Sequence, residues 1–170
     1  PHKNLALSIE SFAQSRARKE GVHLVLIGGG SKDHSAQLKR RCAELGMSEE
    51  VLWVEGLEGP AVPLVLAAAE ALLFPSRYEG FGLPILEAMA SGVPGVSSDC
   101  ACLPEIVDGV WQGCDPDDPD SFSAALDETL YDEEKRAERI RAGLERARAF
   151  TWERCATQTA EFLAAAARLS

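Results

Sequence analysis

The sequence lacks several features that would assign it to common classes of protein. No run approaches the roughly 18 consecutive apolar residues of a membrane span, and residues 1–4 carry no signal-peptide pattern. Positive charge is scarce, because 17 Lys and Arg face 27 Asp and Glu, for a formal net charge of −10. Nucleic acids and anionic membranes attract cationic surfaces, so this balance argues against non-specific binding to either.

Cysteine motifs are also lacking. The five cysteines are an odd number, and no pair has the Cys-x2-Cys spacing of a zinc or redox site. Reduced thiols indicate a cytoplasmic protein, which other parts of the protein could place at the inner membrane face. Cys100 and Cys102 could reach a metal together, but no second ligand pair accompanies them. We therefore expect structural cysteines and no metal.

The pattern that is present predicts one α/β domain. A chain of 170 residues with 46% hydrophobic residues suffices for one core. Short apolar runs predict strands, and helical periodicity predicts the segments between and after them. The predicted strands are residues 23–27, 51–54, 71–74, 93–96 and 110–114, and the predicted helices are residues 5–19, 36–45, 62–69, 83–90, 103–107, 122–131, 133–150 and 151–169. This alternation predicts a Rossmann-like parallel sheet with helices on both faces, followed by C-terminal helices.

The start of the chain suggests a piece of a larger protein. Asn4 is typical of a helix N-cap, and no strand precedes it. We expect residues 1–170 to form a single domain cut from a longer chain.

Ligands of open α/β sheets bind beyond the carboxyl ends of the strands. The turn Gly28-Gly29-Gly30 lies at such an end but matches neither the dinucleotide nor the P-loop fingerprint. A tight turn and a ligand contact both remain open for it.

The loop after residues 71–74 carries the strongest candidate site. Residues 76–82 open into a helix with Pro84 in its first turn, so free N–H groups and the helix dipole would attract an anion. Two glycines let a diphosphate approach the main chain. The acids Glu79 and Glu87 suit sugar hydroxyls, since one carboxylate accepts two hydrogen bonds from a vicinal diol. Complementing the helix dipole is the alternative role for Glu87.

These residues carry a family resemblance. Lys3-Asn4, the segment PSRYEGFGLPILEAMASGVP at residues 75–94, and Leu103-Pro104-Glu105 resemble the group 1 (family 4) retaining glycosyltransferases. Asp115-Pro116 and Phe150-Thr151-Trp152 follow in similar order, so the likeness covers nearly the whole chain. It implies the C-terminal, donor-binding half of a GT-B fold, with the first strand and the N-terminal acceptor domain lying before Pro1.

The resemblance also implies roles. The enzyme would move a sugar from a nucleoside-diphosphate sugar to a sugar, lipid-linked or other acceptor with retained configuration, without metal or cofactor. Cationic groups and N–H donors would stabilise the leaving diphosphate instead. The residues implied are Glu79 as catalytic residue, Lys3, Gly80, Phe81, Gly82, Leu83 and Glu87 for the donor, with Glu87 at the ribose, and Val54, Gly56 and Leu57 for the base. The isolated chain is expected to bind a nucleoside diphosphate weakly and to be inactive.

The sequence departs from the family pattern at Gly95, at Cys100-Ala101-Cys102 and at residues 58–63. Two alternatives share the alternating pattern. A non-catalytic flavodoxin-like binding or receiver module would show an acidic cluster at the early strand ends. A nucleotide-sugar epimerase or a phosphorylase of similar fold is the other, and the phosphorylase would need a pyridoxal-phosphate lysine, which we do not identify.

Overall fold

The computed structural model describes residues 2–28, 31–57 and 59–168. The predicted Gly29, Gly30, Glu58 and Leu169 positions lie outside the described residues. The strands are β1 Leu24–Ile27, β2 Val51–Val54, β3 Leu72–Phe74, β4 Gly95–Ser98 and β5 Gln112–Cys114. The helices are α1 Leu5–Gln14, α2 Arg16–Lys19, α3 Lys32–Glu44, α4 Ala61–Ala67, α5 Leu83–Ala90, α6 Leu103–Val107, α7 Pro119–Tyr131, α8 Glu133–Arg148 and α9 Trp152–Ala167.

Every strand pair is parallel. Strand β1 pairs with β2, with Leu24 opposite Val51, and β3, β4 and β5 pair in that order. The alternating α/β architecture is therefore confirmed. Across the described residues, however, the strands form a two-stranded and a three-stranded sheet, where the sequence predicted one. No strand within the described ranges pairs with both β1 and β3.

Helix α1 packs on both sheets. Its Ile9 and Phe12 lie in a core cluster with Leu26 of β1, whereas its Leu7 packs in another with Val96 of β4. One amphipathic helix thus holds the two sheets side by side.

A third core cluster packs α5 against β3. Ile85 and Met89 of α5 are buried with Phe74 at the end of β3 and Leu103 at the start of α6. Helix α8 crosses α5 closely, because a Cβ atom added at Gly143 would lie 3.3 Å from the Met89 side chain. Helix α5 is therefore packed against β3, α6 and α8.

The predicted first helix is wrong in one respect, because it breaks at Ser15. The backbone of Ser15 is extended, and its side chain accepts from the N–H of Arg18 to start α2. The carboxylate of Asp127 on α7 accepts from the N–H of Arg16 at 2.8 Å and of Ala17 at 3.2 Å. A distant acid thus stabilises a second helix start.

Asn4 occupies the N-cap position of α1, but its side chain makes no capping bond. Its backbone is left-handed, with φ 53°, and its Nδ2 donates to the carbonyl of Pro116 at 2.8 Å. The predicted capping role is therefore wrong, and Asn4 instead ties the start of α1 to the loop after β5.

The predicted strand 93–96 is shifted to Gly95–Ser98. Val93 does not extend the strand because its N–H donates to the carbonyl of Ala88 at 2.9 Å, which closes the end of α5. Helices α3 and α7 begin earlier than predicted, because Ser31 and Asp118 cap them.

Gly95 is explained by its neighbours. A Cβ atom there would lie 2.6 Å from the carbonyl oxygen of Leu72 and 2.7 Å from the ring of Trp111. The Trp111 indole fills the space that a β-branched side chain at position 95 would need. Glycine therefore stands at this position because the tryptophan packs there.

Helix α9 has no buried residue. Its Trp152, Phe162 and Leu163 are 78%, 73% and 61% exposed, which leaves an apolar surface without a partner in the described chain. None of the described helices combines the length and apolarity that crossing a membrane requires.

Candidate active site

The candidate site is the loop between β3 and α5, called here the donor loop, residues 75–82. It follows the buried Phe74, contains the buried Ser76 and ends at Gly82, the N-cap of α5. Gly82 has φ 102° and ψ 41°, a left-handed conformation that favours glycine. Leu83 and Pro84 then start the helix, as predicted, since proline suits a first turn.

The donor loop presents free backbone donors. The N–H groups of Gly80, Phe81 and Gly82 donate to no group in the described part of the chain. Gly80 and Phe81 are exposed, and no atom lies within 4 Å of a Cβ added at Gly80. Adjacent unpaired donors at a helix start form a site for an anion.

Lys3 and Glu79 meet at this loop. The Lys3 Nζ donates to Glu79 Oε1 at 2.7 Å, although 76 positions separate the two residues. The lysine side chain is 45% exposed and the glutamate side chain 12%. The Lys3 ammonium also lies 5.3 Å from the ring centre of Phe74. Two residues predicted to serve the same ligand are thus in direct contact.

Glu87 lies on α5 beyond its first turn. It is the fifth residue of the helix, which has no acid in its first turn. This position weakens the dipole role that the sequence left open for Glu87, because the dipole acts within the first turn. Its side chain is exposed and makes no hydrogen bond or ion pair with the described residues. It is free to bind a ligand.

The predicted base-binding residues lie at the end of the other sheet. Val54 ends β2, and its carbonyl accepts from the N–H of Gly28 at 3.0 Å. Gly56 is exposed with φ 69°, and Leu57 is partly buried. Within the described ranges, no hydrogen bond, ion pair or ring contact joins these residues to the donor loop. Their role stays a prediction.

Two cysteines that the sequence treated as structural touch the donor loop. Cys100 Sγ lies 3.3 Å from the carbonyl oxygen of Ser76 and 3.4 Å from that of Arg77. Cys102 Sγ lies 3.2 Å from the carbonyl oxygen of Glu79 and 3.4 Å from that of Phe81. The only sequence signal for these contacts was the departure from the family pattern at Cys100-Ala101-Cys102.

Arg77 anchors the first half of the loop. Its N–H donates to the carbonyl of His2 at 2.8 Å, and its guanidinium pairs with Asp117. The Arg77 guanidinium thus forms its ion pair with Asp117, in the loop after β5.

Phe81 links the loop to the end of α8. Its ring meets that of Phe150 edge to face, with centres 6.0 Å apart. The guanidinium of Arg146 lies 4.9 Å from the Phe150 ring centre, and the same arginine bonds the carbonyls of Glu105 and Ile106. The donor loop, α6 and α8 therefore form one packed unit.

The described residues contain no group of three or more His, Cys, Asp or Glu side chains placed to hold a metal ion.

Burial raises the pKa of the Cys100 thiol, so this thiol keeps its hydrogen at neutral pH.

Fold and loop together define a class, which is one Rossmann-like half of a GT-B protein with a loop of unpaired backbone N–H groups at its strand ends. The chain belongs to the family of glycosyl transferases group 1, whose family model matches residues 1–146.

Individual relatives agree with this assignment. The chain is 47% identical to O-antigen chain mannosyltransferase B of Escherichia coli over 98 residues, which is 58% of this chain and 26% of the relative. It is 35% identical to the MMP alpha-(1->4)-mannosyltransferase of Mycolicibacterium hassiacum over 164 residues, 94% of this chain and 39% of that one. The crystal structure of Anabaena HepE in complex with UDP and glucose superposes with a TM-score of 0.87 at 24% identity, over 97% of this chain and 46% of that one.

The chain thus spans between 26% and 39% of the length of these two curated relatives.

Proposed function

We propose that this chain binds a nucleoside-diphosphate sugar and forms the donor-binding, C-terminal domain of a retaining glycosyltransferase. The observation that supports this most is the run of unpaired N–H groups at Gly80, Phe81 and Gly82 beside the Lys3–Glu79 pair. Such donors suit an anion of the size of a diphosphate, and the ion pair supplies one cation and one sugar-binding acid.

In this proposal the free N–H groups of the donor loop, with that of Leu83, bind the diphosphate. The Lys3 ammonium weakens its hydrogen bond to Glu79 when the ligand binds. It then neutralises the negative charge that grows on the leaving nucleoside diphosphate. Glu79 is the catalytic residue. Its carboxylate, largely shielded from water, orients the sugar and supports a positively charged anomeric centre.

The exposed Glu87 carboxylate accepts two hydrogen bonds from the ribose hydroxyls. Val54, Gly56 and Leu57 contact the base in the same proposal. The positively charged lysine and the N–H donors take the part that a metal plays in other transferases, so we propose catalysis without metal or cofactor.

The sugar class is proposed from the relatives. The two curated relatives described above are both named mannosyltransferases, and we propose that the donor carries a hexose, with mannose as the first to be tested. The nucleotide is tested alongside, because the HepE structure contains UDP and glucose.

The rest of the protein supplies the acceptor site in this proposal. Strands β1 and β3 each have one paired neighbour in the described chain, and α1 packs on both sheets. We propose that a strand from the rest of the protein pairs with both edges and joins the sheets, and that a second domain binds a sugar, lipid-linked or other acceptor. The apolar side of α9 packs on that domain.

The five free thiols favour a reducing compartment. We propose that the protein works in the cytoplasm, with any membrane association provided by its other parts.

Calorimetric titration with UDP, GDP and ADP tests the proposal. One of the three is expected to bind the chain at micromolar to millimolar concentration, and Glu87→Ala is expected to weaken it about tenfold or more, because two hydrogen bonds to a charged group are lost. Glu138→Ala is the matched control, since Glu138 is also an exposed helical glutamate without a side-chain partner in the described chain.

Equal affinity of the Glu87→Ala variant and the control would contradict the ribose role. A folded chain that bound none of the three at millimolar concentration would contradict the donor site itself.

A further inference from the structure

The two thiols of the Cys100-Ala101-Cys102 turn face the donor loop at four carbonyl groups. Cys100 reaches the carbonyls of Ser76 and Arg77, and Cys102 those of Glu79 and Phe81, at 3.2 to 3.4 Å. A thiol has a single hydrogen and is a weak donor, so each serves one of its two carbonyls at a time. Together they hold the loop from its start to within one residue of α5.

Fixing a carbonyl also fixes the N–H that follows it. The peptide unit is planar and trans, so its C=O and N–H point in opposite directions. The Ser76–Arg77 peptide illustrates this, because its carbonyl meets Cys100 while its N–H donates to His2 at 2.8 Å. In the same way, a Glu79 carbonyl directed at Cys102 turns the Gly80 N–H away from Cys102.

The same relation holds two residues later, where a Phe81 carbonyl directed at Cys102 turns the Gly82 N–H away from Cys102. The N–H groups of Gly80 and Gly82 are two of the three unpaired N–H groups of the loop described above. We propose that Cys102, supported by Cys100, is a positioning residue that aims the N–H groups of Gly80 and Gly82 at the diphosphate. This inference rests on the proposed function for the identity of the ligand, but not for the orientation of the loop.

The shape of the turn agrees with a positioning role. Ala101, between the two cysteines, has φ 52°, a left-handed conformation that is unfavourable for alanine. The next residue after the turn, Leu103, packs against the loop as well, because a Cβ atom added at Gly82 would lie 3.0 Å from it. Burial raises the pKa of the Cys100 thiol further above neutrality, so its hydrogen is available to the carbonyls at neutral pH.

Three cysteine variants test the inference. Cys102→Ala removes the donor, Cys102→Ser replaces the thiol hydrogen by a hydroxyl hydrogen, and Cys155→Ala is the control because Cys155 is exposed on α9. Backbone 15N relaxation reports the mobility of residues 79–82 without any ligand. Calorimetry with the nucleoside diphosphate that binds best reports the affinity.

We expect Cys102→Ala to increase the mobility of residues 79–82 and to weaken binding about threefold to tenfold, the loss of one ordinary hydrogen bond. Cys102→Ser should restore both to within about twofold of the unaltered chain, which a mere packing defect would not do. Unchanged relaxation and affinity in a folded Cys102→Ala variant would overturn the inference. If the unaltered chain bound no nucleoside diphosphate, the proposed function would fail, while the relaxation data would still decide the role of Cys102.

Discussion

A substitution at Gly82 tests the backbone conformation of the donor loop through its effect on protein stability. Its φ of 102° lies in the left-handed region, and a Cβ atom there would lie 3.0 Å from Leu103 Cδ2 and 3.7 Å from Ile85 Cδ1. Gly80, two residues earlier, lies outside that region and has open space around the added atom. The pair Gly82→Ala and Gly80→Ala therefore separates backbone strain from the mere addition of a methyl group.

The magnitude follows from three contributions. A left-handed alanine costs about 1–2 kcal/mol, and the contact with Leu103 adds about 1 kcal/mol because that side chain is fully buried. Replacing glycine restricts the unfolded chain and returns about 0.4–1 kcal/mol. We expect Gly82→Ala to lower the free energy of unfolding by about 1–3 kcal/mol, and Gly80→Ala to change it by less than about 1 kcal/mol.

Urea denaturation followed by circular dichroism measures the difference, and thermal unfolding should show a lower Tm for Gly82→Ala by about 2–10 °C. Equal stability of the two variants would refute the left-handed geometry at Gly82, and with it the orientation of the loop at the start of α5.

Two further predictions concern charged side chains. Lys3→Ala should weaken nucleoside diphosphate binding about tenfold to a hundredfold, because a charged hydrogen bond is lost. It should change stability by less than about 1 kcal/mol, since the Lys3 side chain is 45% exposed and water screens its charge. Calorimetry with Lys19→Ala as control would reveal an unspecific charge effect as equal losses in both variants. Hydrogen bonding from Lys135 lowers the pKa of Glu128 in the folded protein. The ionised Glu128 carboxylate therefore stabilises the fold at a pH above its pKa in the unfolded chain, and this stabilisation is lost as the pH falls through its lower pKa in the folded protein. Glu128→Gln should therefore destabilise by about 1 kcal/mol at pH 7 and by less at pH 3, whereas a pH-independent difference in urea denaturation would contradict the ion pair.

The elements that local signals define were predicted best. The bounds of β2, α5 and α6 agree with the structure residue for residue, because the proline in the first turn of α5 and α6 and the glycines around them act locally. Strand β4 was misplaced by two residues because the closure of α5 takes Val93. The break at Ser15 depends on Asp127, more than 100 positions away, which no local pattern reveals.

The site divides in the same way. The donor loop and the start of α5 follow from glycine, proline and the position of a strand end, so the sequence predicted them. The bond between Lys3 and Glu79 depends on how the start of α1 meets the end of β3, across 76 positions. The thiol contacts of Cys100 and Cys102 arise between two consecutive strand ends of the three-stranded sheet, and thiols carry no periodic signal.

The central claim, that the donor loop binds a nucleoside diphosphate through its backbone, is tested most directly by a 15N-resolved NMR titration with UDP, GDP and ADP. The amide signals of Gly80, Phe81 and Gly82 should shift most, because their N–H groups are free before binding. Gly109, exposed in the turn after α6, serves as the internal control. Saturable binding that shifted other amides and left these three unchanged would contradict the claim.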